Sequence, residues 1–461
     1  MSKYLYLFET ESEFTSAYTS EDYDEPWLSY TIENGGSKYN KSKYEKLLGT
    51  PLTFKIISGG TINWKALDAN FTKTIEYKKN DEDWVSITSS TGASTTISVN
   101  AGDIVQIKGD NRQCGKSSGS YNTFSGSTIV FEAEGNIMSL IDSTGYAAKT
   151  TLQDSFNFYR LFMNCRGLTS AENVIFPATA LTQACYDSMF ASCTTLTVAP
   201  ELPATTLAPN CYQYMFINCV ALATSPVLPA TTLAQSCYSG MFGGCTGLTI
   251  APELPATALT TECYSSMFRD CKSLTTAPKL PATALEYMCY CGMFSGCTNL
   301  TAAPELPATA LTYGCYQTMF AFCTNLVTAP ELPATTLATH CYSNMFSFCT
   351  NLSVAPSILP ATTLVNYCYN YMFYYCTSLM TAPELPATIL VNNCCQGMFN
   401  NCTSLNYIKC LATDMSANSC TNFWVYRVQI NSGTFVKASG ADWSGLGGND
   451  GIPANWTVVD A

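Results

Sequence analysis

The sequence has very little histidine and little basic charge, and both shortages exclude classes of function. His340 is the single histidine among 461 residues. A Ser-His-Asp triad, a multi-histidine zinc site or a histidine acid–base pair would each depend on that one residue. Charged residues make up 12% of the chain, and the formal net charge is −12. Phosphate recognition requires clustered Lys and Arg, so the composition argues against nucleic-acid binding.

Long hydrophobic runs are also missing. No segment approaches the roughly 20 apolar residues that a transmembrane helix needs. The apolar run at residues 4–8 is interrupted by Glu9 and is too short for the core of a secretory signal. We therefore expect no membrane insertion and, if Met1 is the native start, synthesis in the cytoplasm without general secretory export. The apolar fraction of 47% nevertheless predicts a folded core.

Cysteine is abundant, and most of the 24 cysteines follow a regular spacing. One series runs from Cys185 to Cys394 and a second from Cys165 to Cys402, in steps of 26 residues with insertions of one or two. Each pair stands in the frame C-[YC]-x-x-M-F-x-x-C-x-x-L, and the frame L-x-x-A-P-x-L-P-A-T-x-L leads to the next pair. Self-similarity at this period is typical of solenoids, whose units bury their apolar faces against their neighbours.

The period predicts that identical residues lie over one another in neighbouring coils, about 4.8 Å apart. Cysteine behaves as a small residue that is usually buried, so we expect the two series to form packed, reduced ladders. Disulfides and a metal site are the alternatives. Cys114, Cys291 and Cys395 lie outside the series and are candidates for surface thiols.

Each repeat also predicts local structure. Proline cannot donate a hydrogen bond to a sheet, so the L-x-x-A-P segment predicts a short strand that ends at the proline. The C-[YC]-x-x-M-F-x-x-C segment is apolar at positions 0, 4, 5 and 8. That spacing predicts one or two helical turns.

The frame M-F-x-x-C-T-x-L-x-x-A-P-x-L-P-A-T-x-L resembles the BspA-like leucine-rich repeats of gut bacteria and their tailed phages. The resemblance covers about residues 165–405. It implies an α/β leucine-rich-repeat solenoid of 26-residue coils. Members of the family are adhesins, surface proteins and virion components. The implied function is therefore that of a phage virion appendage, a fibre or spike for host attachment. A bacterial cell-surface adhesin is the alternative.

The regions on either side of the repeats differ from them in composition and in residue pattern. Seven short segments within 51–145 alternate apolar and polar residues and predict an Ig-like β-sandwich. Residues 1–50 are acidic and aromatic and resemble amino-terminal attachment modules of phage-encoded proteins, although an arm packed on the sandwich is an equal alternative. Residues 146–405 hold the solenoid. Residues 406–461 lose the period, and their tryptophans predict a C-terminal cap that covers the last coil.

No residue set predicts catalysis. His340 lies beside Cys341 at a variable position, which favours a surface side chain over a catalytic base. Glu305 and Glu331 are adjacent like charges along the coils, but the neighbouring positions alternate in sign, as on a solvated edge. Weak cation binding and a glycosidase pair are the alternatives there. We therefore predict a non-enzymatic protein without a metal or cofactor.

Aromatic residues at variable positions are the candidates for binding. Contiguous exposed apolar surface usually marks an interaction site, and aromatic side chains contribute much contact area there. Packing as core or against a second subunit is the alternative. The predicted partners are a host cell-surface glycan or protein, and other virion proteins through the amino-terminal region; a homo-oligomer such as a trimer is left open. The candidate binding residues are Phe322, Phe348, Tyr371, Tyr374, Tyr375, Tyr287 and Tyr313.

Overall fold

The computed structural model describes residues 41–91, 95–117, 119–125, 129–428 and 432–461. Its regular secondary structure is mostly strand, with few helices. The chain divides into two compact units: the first ends at residue 207 and includes 224–230, and the second comprises 208–223 and 231–461. The prediction of an attachment module falls mainly on residues 1–40, outside the described residues. The domain divisions at 50, 145 and 405 stay predictions.

In the part of the chain that the structure describes, the first unit starts with a helix and contains two sheets. The six-stranded sheet has the order β10-β9-β1-β6-β3-β4, and the four-stranded sheet has the order β5-β2-β8-β7. Neighbouring strands are antiparallel except β9 and β10. The elements are α1 (Lys41–Leu48), β1 (Leu52–Ser58), β2 (Gly60–Ala66), β3 (Thr74–Lys79), β4 (Val85–Thr88), β5 (Thr95–Val99), β6 (Ile104–Lys108), β7 (Gly115–Ser117), β8 (Ser120–Ser125), β9 (Val130–Asn136), two short 3₁₀ helices (Ile137–Leu140 and Tyr146–Ala148) and β10 (Leu168–Ile175).

All seven predicted strands of this region overlap observed ones, because alternating apolar residues fill one face of each sheet. Phe54 of β1 meets Phe124 of β8 at a ring-centroid distance of 5.3 Å, and Trp64 of β2 lies 4.5 Å from Phe124. These three rings are fully buried. Residues of the two sheets thus share one aromatic core.

Beyond the sheets, residues 26 positions apart pair in parallel. Ala258 bridges to Ala284, Ala284 to Ala310, and Ala310 to Thr336. A second line of bridges lies at the position before Ala-Pro, as between Ile250 and Thr276. The predicted strand thus shortens to a single bridging residue, since a proline without an amide hydrogen follows two positions later.

The prediction of helical turns in the C-[YC]-x-x-M-F-x-x-C segments was wrong. In these turn segments, alternate amides donate to different partners. The Met267 amide donates to the carbonyl of Tyr264 (3.2 Å), three residues back, whereas the Phe268 amide donates to Met293 of the next coil (2.9 Å). Every fourth residue has a left-handed backbone, as at Glu262 (φ 55°) and Ser266 (φ 54°). Pairs of residues consequently alternate between the core and the outer side, with a period of four instead of 3.6.

The inward residues form continuous columns within the second unit. The rings of Tyr238, Tyr264 and Tyr290 follow one another at 5.9 Å and are nearly parallel. The rings of Phe242 and Phe268 stack at 5.7 Å. The leucine, methionine and phenylalanine ladders expected from the period are fully buried.

The cysteines form the expected reduced ladders. All 24 are free. In the second series, each thiol from Cys245 to Cys402 donates to a phenylalanine carbonyl of the preceding coil, as from Cys271 Sγ to Phe242 O (3.1 Å) and from Cys297 Sγ to Phe268 O (3.0 Å). Burial raises the pKa of the Cys271 thiol to about 12. Cysteine therefore combines a small apolar volume with a hydrogen-bond donor between coils.

Two of the three predicted surface thiols are buried. Cys114 lies at the edge of the four-stranded sheet, where its amide donates to Asn157. Cys395 is inaccessible because it occupies the inward position that tyrosine fills in most other coils. Cys291 alone of the three is partly exposed.

The carboxy-terminal region contains a small parallel sheet and a tryptophan cluster. The sheet consists of β11 (Tyr407–Cys410), β12 (Thr434–Lys437) and β13 (Thr457–Asp460), in that order. The buried Trp424 lies 6.0 Å from Phe399 and stacks on Trp443 at 5.5 Å. Trp424 thereby covers the last ring of the phenylalanine column. Within the residues described, no helix is both long and apolar enough to span a membrane.

Candidate binding surface

The outer side of each turn segment presents three pairs of residues: the pair before the first cysteine, the pair after the inward Cys-Tyr, and the pair before the second cysteine. In the coil of Cys341 these are 339–340, 343–344 and 347–348. The second residue of each pair, as at His340, Asn344 and Phe348, has a left-handed backbone. Since the core columns use none of these positions, the outer pairs differ freely from coil to coil.

Five of the predicted binding residues form one cluster, which we call the aromatic ridge. Its axis is Phe322, Phe348 and Tyr375, whose rings stack at 4.7 and 4.9 Å. Tyr374 meets Phe348 edge-on at 5.2 Å, and Tyr371 meets Tyr374 at 5.4 Å. Phe322 is 50% exposed, while the other four are partly exposed.

The other two predicted residues belong to a separate aromatic row. Tyr287 and Tyr313 stack at 5.2 Å and are about 40% exposed (43% and 39%). The row continues from Tyr313 to His340 (5.6 Å) and from His340 to Tyr367 (4.8 Å). Tyr367 lies near the predicted aromatic positions in sequence but is not among the candidate binding residues, and His340 was not assigned to this surface, because the row shifts there by one position relative to the first cysteine. Aligning the outer pairs, rather than single columns, would have found them.

The rings of the ridge axis stand at left-handed positions of the backbone, which recur at every fourth residue of the turn segments. Phe322, Phe348 and Tyr375 have φ values of 62°, 61° and 59°. Bulky residues rarely adopt this conformation, and such strain costs about 1–3 kcal/mol per residue. Glycine, asparagine and aspartate, which tolerate it best, fill the same column in other coils: Asn218, Gly244, Asp270, Gly296 and Asn401.

Two outer tyrosines, one of them in the ridge, lie over glycines of the next coil. The ring of Tyr214 lies over Gly240 of the next coil, and a Cβ at that glycine would overlap the ring. Tyr371 covers Gly397 in the same way. These two tyrosines thus fold back onto the neighbouring coil. The rings of the ridge axis do not, because they stack on one another and no glycine lies among them.

The ionisable groups near this surface are not arranged for catalysis. Partial burial between Tyr313 and Tyr367 lowers the pKa of His340. The buried His340 Nδ1 has no hydrogen-bond partner among the described residues. Burial likewise raises the pKa of Tyr374. His340 therefore contributes a ring to the aromatic row, with no group positioned to orient it as a base.

The acidic positions on the proline-rich side border an open groove of about 470 Å³. Its lining includes Glu305 and Glu331 with the intervening Ala-Pro and Leu-Pro segments. Glu331 Oε2 accepts a hydrogen bond from Ser357 Oγ at 3.0 Å. The described residues contain no group of three or more potential metal ligands. The described residues of the groove therefore include no cluster of potential metal ligands.

Comparison with known proteins does not assign the chain: no family model matches it, and no curated protein is significantly similar.

Proposed function

We propose that the chain is a non-enzymatic binding protein in which an Ig-like β-sandwich precedes a leucine-rich-repeat solenoid with a C-terminal cap. The shared aromatic core of the two sheets supports the sandwich. The parallel pairing of residues 26 apart supports the solenoid, with turn segments in place of helices. The position of Trp424 on Phe399 supports the cap.

Its function is host attachment as a surface appendage of a phage virion. The observation that carries this proposal is the aromatic ridge, because three successive coils stack large rings on their outer side without burying them. The core does not need these rings, since other coils fold with glycine or asparagine there. A stacked aromatic surface that the core does not require favours a role in recognition.

The thiol-rich core supports assembly inside a cell. Disulfides form in oxidising compartments, whereas this chain buries nearly all of its 24 cysteines as free thiols. Virion proteins fold in the host cytoplasm before release, in keeping with such a core. The resemblance to BspA-like repeats adds weight, but it supports the alternative, a bacterial cell-surface adhesin, equally well. Residues 1–50 are the proposed attachment to other virion proteins, and a trimer is compatible with this role.

Mass spectrometry of purified phage particles from a culture carrying the gene tests the location. We expect peptides from the whole chain in particles banded on a density gradient. Host outer-membrane vesicles prepared in parallel are the control. Recovery of the chain from the membrane fraction and its absence from particles would contradict the virion role and favour the adhesin.

A further inference from the structure

A band of polar side chains lies between the aromatic ridge and the aromatic row, on the middle outer pair of four successive coils. Its centre is recessed: Asn370 is 8% and Ser343 2% exposed, compared with 50% for Phe322 and 39% for Tyr313, while the other polar residues of the band are partly exposed. We call this band the floor. It consists of Gln317, Thr318, Ser343, Asn344, Asn370 and Gln396. The two remaining residues of these pairs are Tyr371 of the ridge and Gly397, which the Tyr371 ring covers.

Hydrogen bonds across the coils hold the floor in place. Ser343 Oγ donates to Asn370 Oδ1 (3.3 Å), and Asn370 Nδ2 donates to Gln396 Oε1 (3.1 Å). Asn393 Nδ2 also donates to Gln396 Oε1 (2.9 Å). Gln396 thus accepts twice through one oxygen, and no acceptor among the described residues binds its Nε2. Its two amide hydrogens are free for a ligand.

The surface is also free of formal charge, in a protein whose net charge is −12. The outer pairs of the preceding coils include Glu262, Arg269 and Asp270, and Arg427 follows on the last turn segment. Between them, every outer pair from 313 to 401 is uncharged. These residues are Tyr313, Gly314, Gln317, Thr318, Ala321, Phe322, Thr339, His340, Ser343, Asn344, Ser347, Phe348, Asn366, Tyr367, Asn370, Tyr371, Tyr374, Tyr375, Asn392, Asn393, Gln396, Gly397, Asn400 and Asn401.

We propose that this surface binds a neutral oligosaccharide that lies along the stacked coils, with the ridge and the row on either side and the floor beneath. Aromatic rings pack against the C–H faces of sugar rings, and amide and hydroxyl groups bond to sugar hydroxyls. Phosphorylated or acidic glycans would call for clustered Arg or Lys, whereas the outer pairs from 313 to 401 contain neither and only Arg427 lies near one edge, beside Tyr374. The inference rests on the proposed function, since it names the class of host-surface ligand.

Affinity electrophoresis of the full chain tests the ligand class. The probes are gels containing mannan, xylan, dextran or amylose, with polygalacturonate as the anionic control. We expect at least one neutral polysaccharide to retard the chain, and retardation to persist in 0.5 M NaCl because screening affects only charged contacts. Retardation by none of the four, or by polygalacturonate alone, would overturn the inference.

Glycine substitutions locate the site without loss of the fold. Phe348→Gly and His340→Gly each remove one ring at a left-handed position, which glycine adopts without strain. We expect either to weaken binding by about tenfold. Asn218→Gly, in the ridge column but outside the surface, is the matched control and should bind within about twofold of the parent. Wild-type affinity in both ring variants would refute the assignment to this surface.

Binding to host cells separates this inference from the proposed function. Periodate cleaves sugar diols, and protease shaving removes surface proteins. We expect fluorescent chain to bind protease-treated cells and to lose binding after periodate. Attachment that survives periodate and disappears with protease would retain the attachment role and overturn the sugar ligand. Failure to bind untreated cells, with polysaccharide retardation retained, would overturn host attachment alone.

Discussion

Alkaline pH should unfold this protein sharply, because its core contains stacked neutral thiols. Seven second-series thiols in the second unit are more than nine-tenths buried, and burial raises the pKa of each above its ordinary value of 9.0. They stay protonated in the folded state while the unfolded chain loses protons from pH 9 upward. These thiols are Cys245, Cys271, Cys297, Cys323, Cys349, Cys376 and Cys402.

The size of the effect follows from proton linkage. A folded-state pKa above the unfolded one gives stability that is complete below pH 9 and is lost as pH rises toward the folded value. At pH 10 each thiol removes about 1.4 kcal/mol from the free energy of unfolding, or about 10 kcal/mol for the seven. Since folded proteins are stable by about 5–15 kcal/mol, unfolding is expected between about pH 9 and 10.5.

Urea unfolding followed by circular dichroism at half-unit steps from pH 7 to 10.5 measures this loss. The samples contain a phosphine reductant under argon, so that thiolates do not oxidise. Replacing Cys271, Cys297 and Cys323 by alanine is the control, because it removes three titrating groups and should reduce the steepness by about 4 kcal/mol per pH unit. A free energy of unfolding that is equal at pH 8 and pH 10 would refute the picture of buried, reduced thiols.

Three further predictions test other parts of the structure. Iodoacetamide at pH 8 should label Cys291 first in the native protein, since Cys114 and Cys395 are buried; a peptide map showing equal rates would contradict this. Trp424→Ala should destabilise the protein by about 3–5 kcal/mol in urea unfolding by leaving a cavity, whereas Phe423→Ala, at a 44% exposed ring, should change little. Gly397→Ala should cost about 1–3 kcal/mol through its positive φ and the Tyr371 ring, and Tyr371→Gly in the same chain should restore part of it; an additive double mutant would argue against that contact.

Much of the fold could be predicted because the repeat determines which residues meet. A 26-residue period places Ala284 beside Ala310 whatever the local backbone does. Alternating residues in 51–145 likewise identify strands directly. The turn segments could not be predicted in this way, since apolar positions 0, 4, 5 and 8 satisfy a period of four as well as a helix. The left-handed positions give no consistent signal either, because His340, Thr318 and Phe322 all adopt them.

The candidate surface was predicted only in part, because the repeat identifies residues that share a column but not contacts between columns. Variation within one column pointed to Phe322 and Phe348, whose rings do stack. Contacts between columns, such as Tyr313 on His340, depend on the direction of each side chain at the turn, which single-column comparison does not record. Cys395 shows the converse case: the C-[YC] frame already placed it at an inward position, so its burial could have been inferred.

The alternating amide pattern has a consequence for how such a chain can change. In each turn segment, half of the amide hydrogens donate to carbonyls of the same segment and half donate to the following coil. The core columns repeat the same side chains from coil to coil. Neighbouring coils are therefore held together by nearly equivalent hydrogen bonds and core contacts. Their outer pairs take no part in the core columns. A 26-residue unit can therefore be duplicated, deleted or exchanged as a block, and the residues of the outer surface can be substituted one coil at a time.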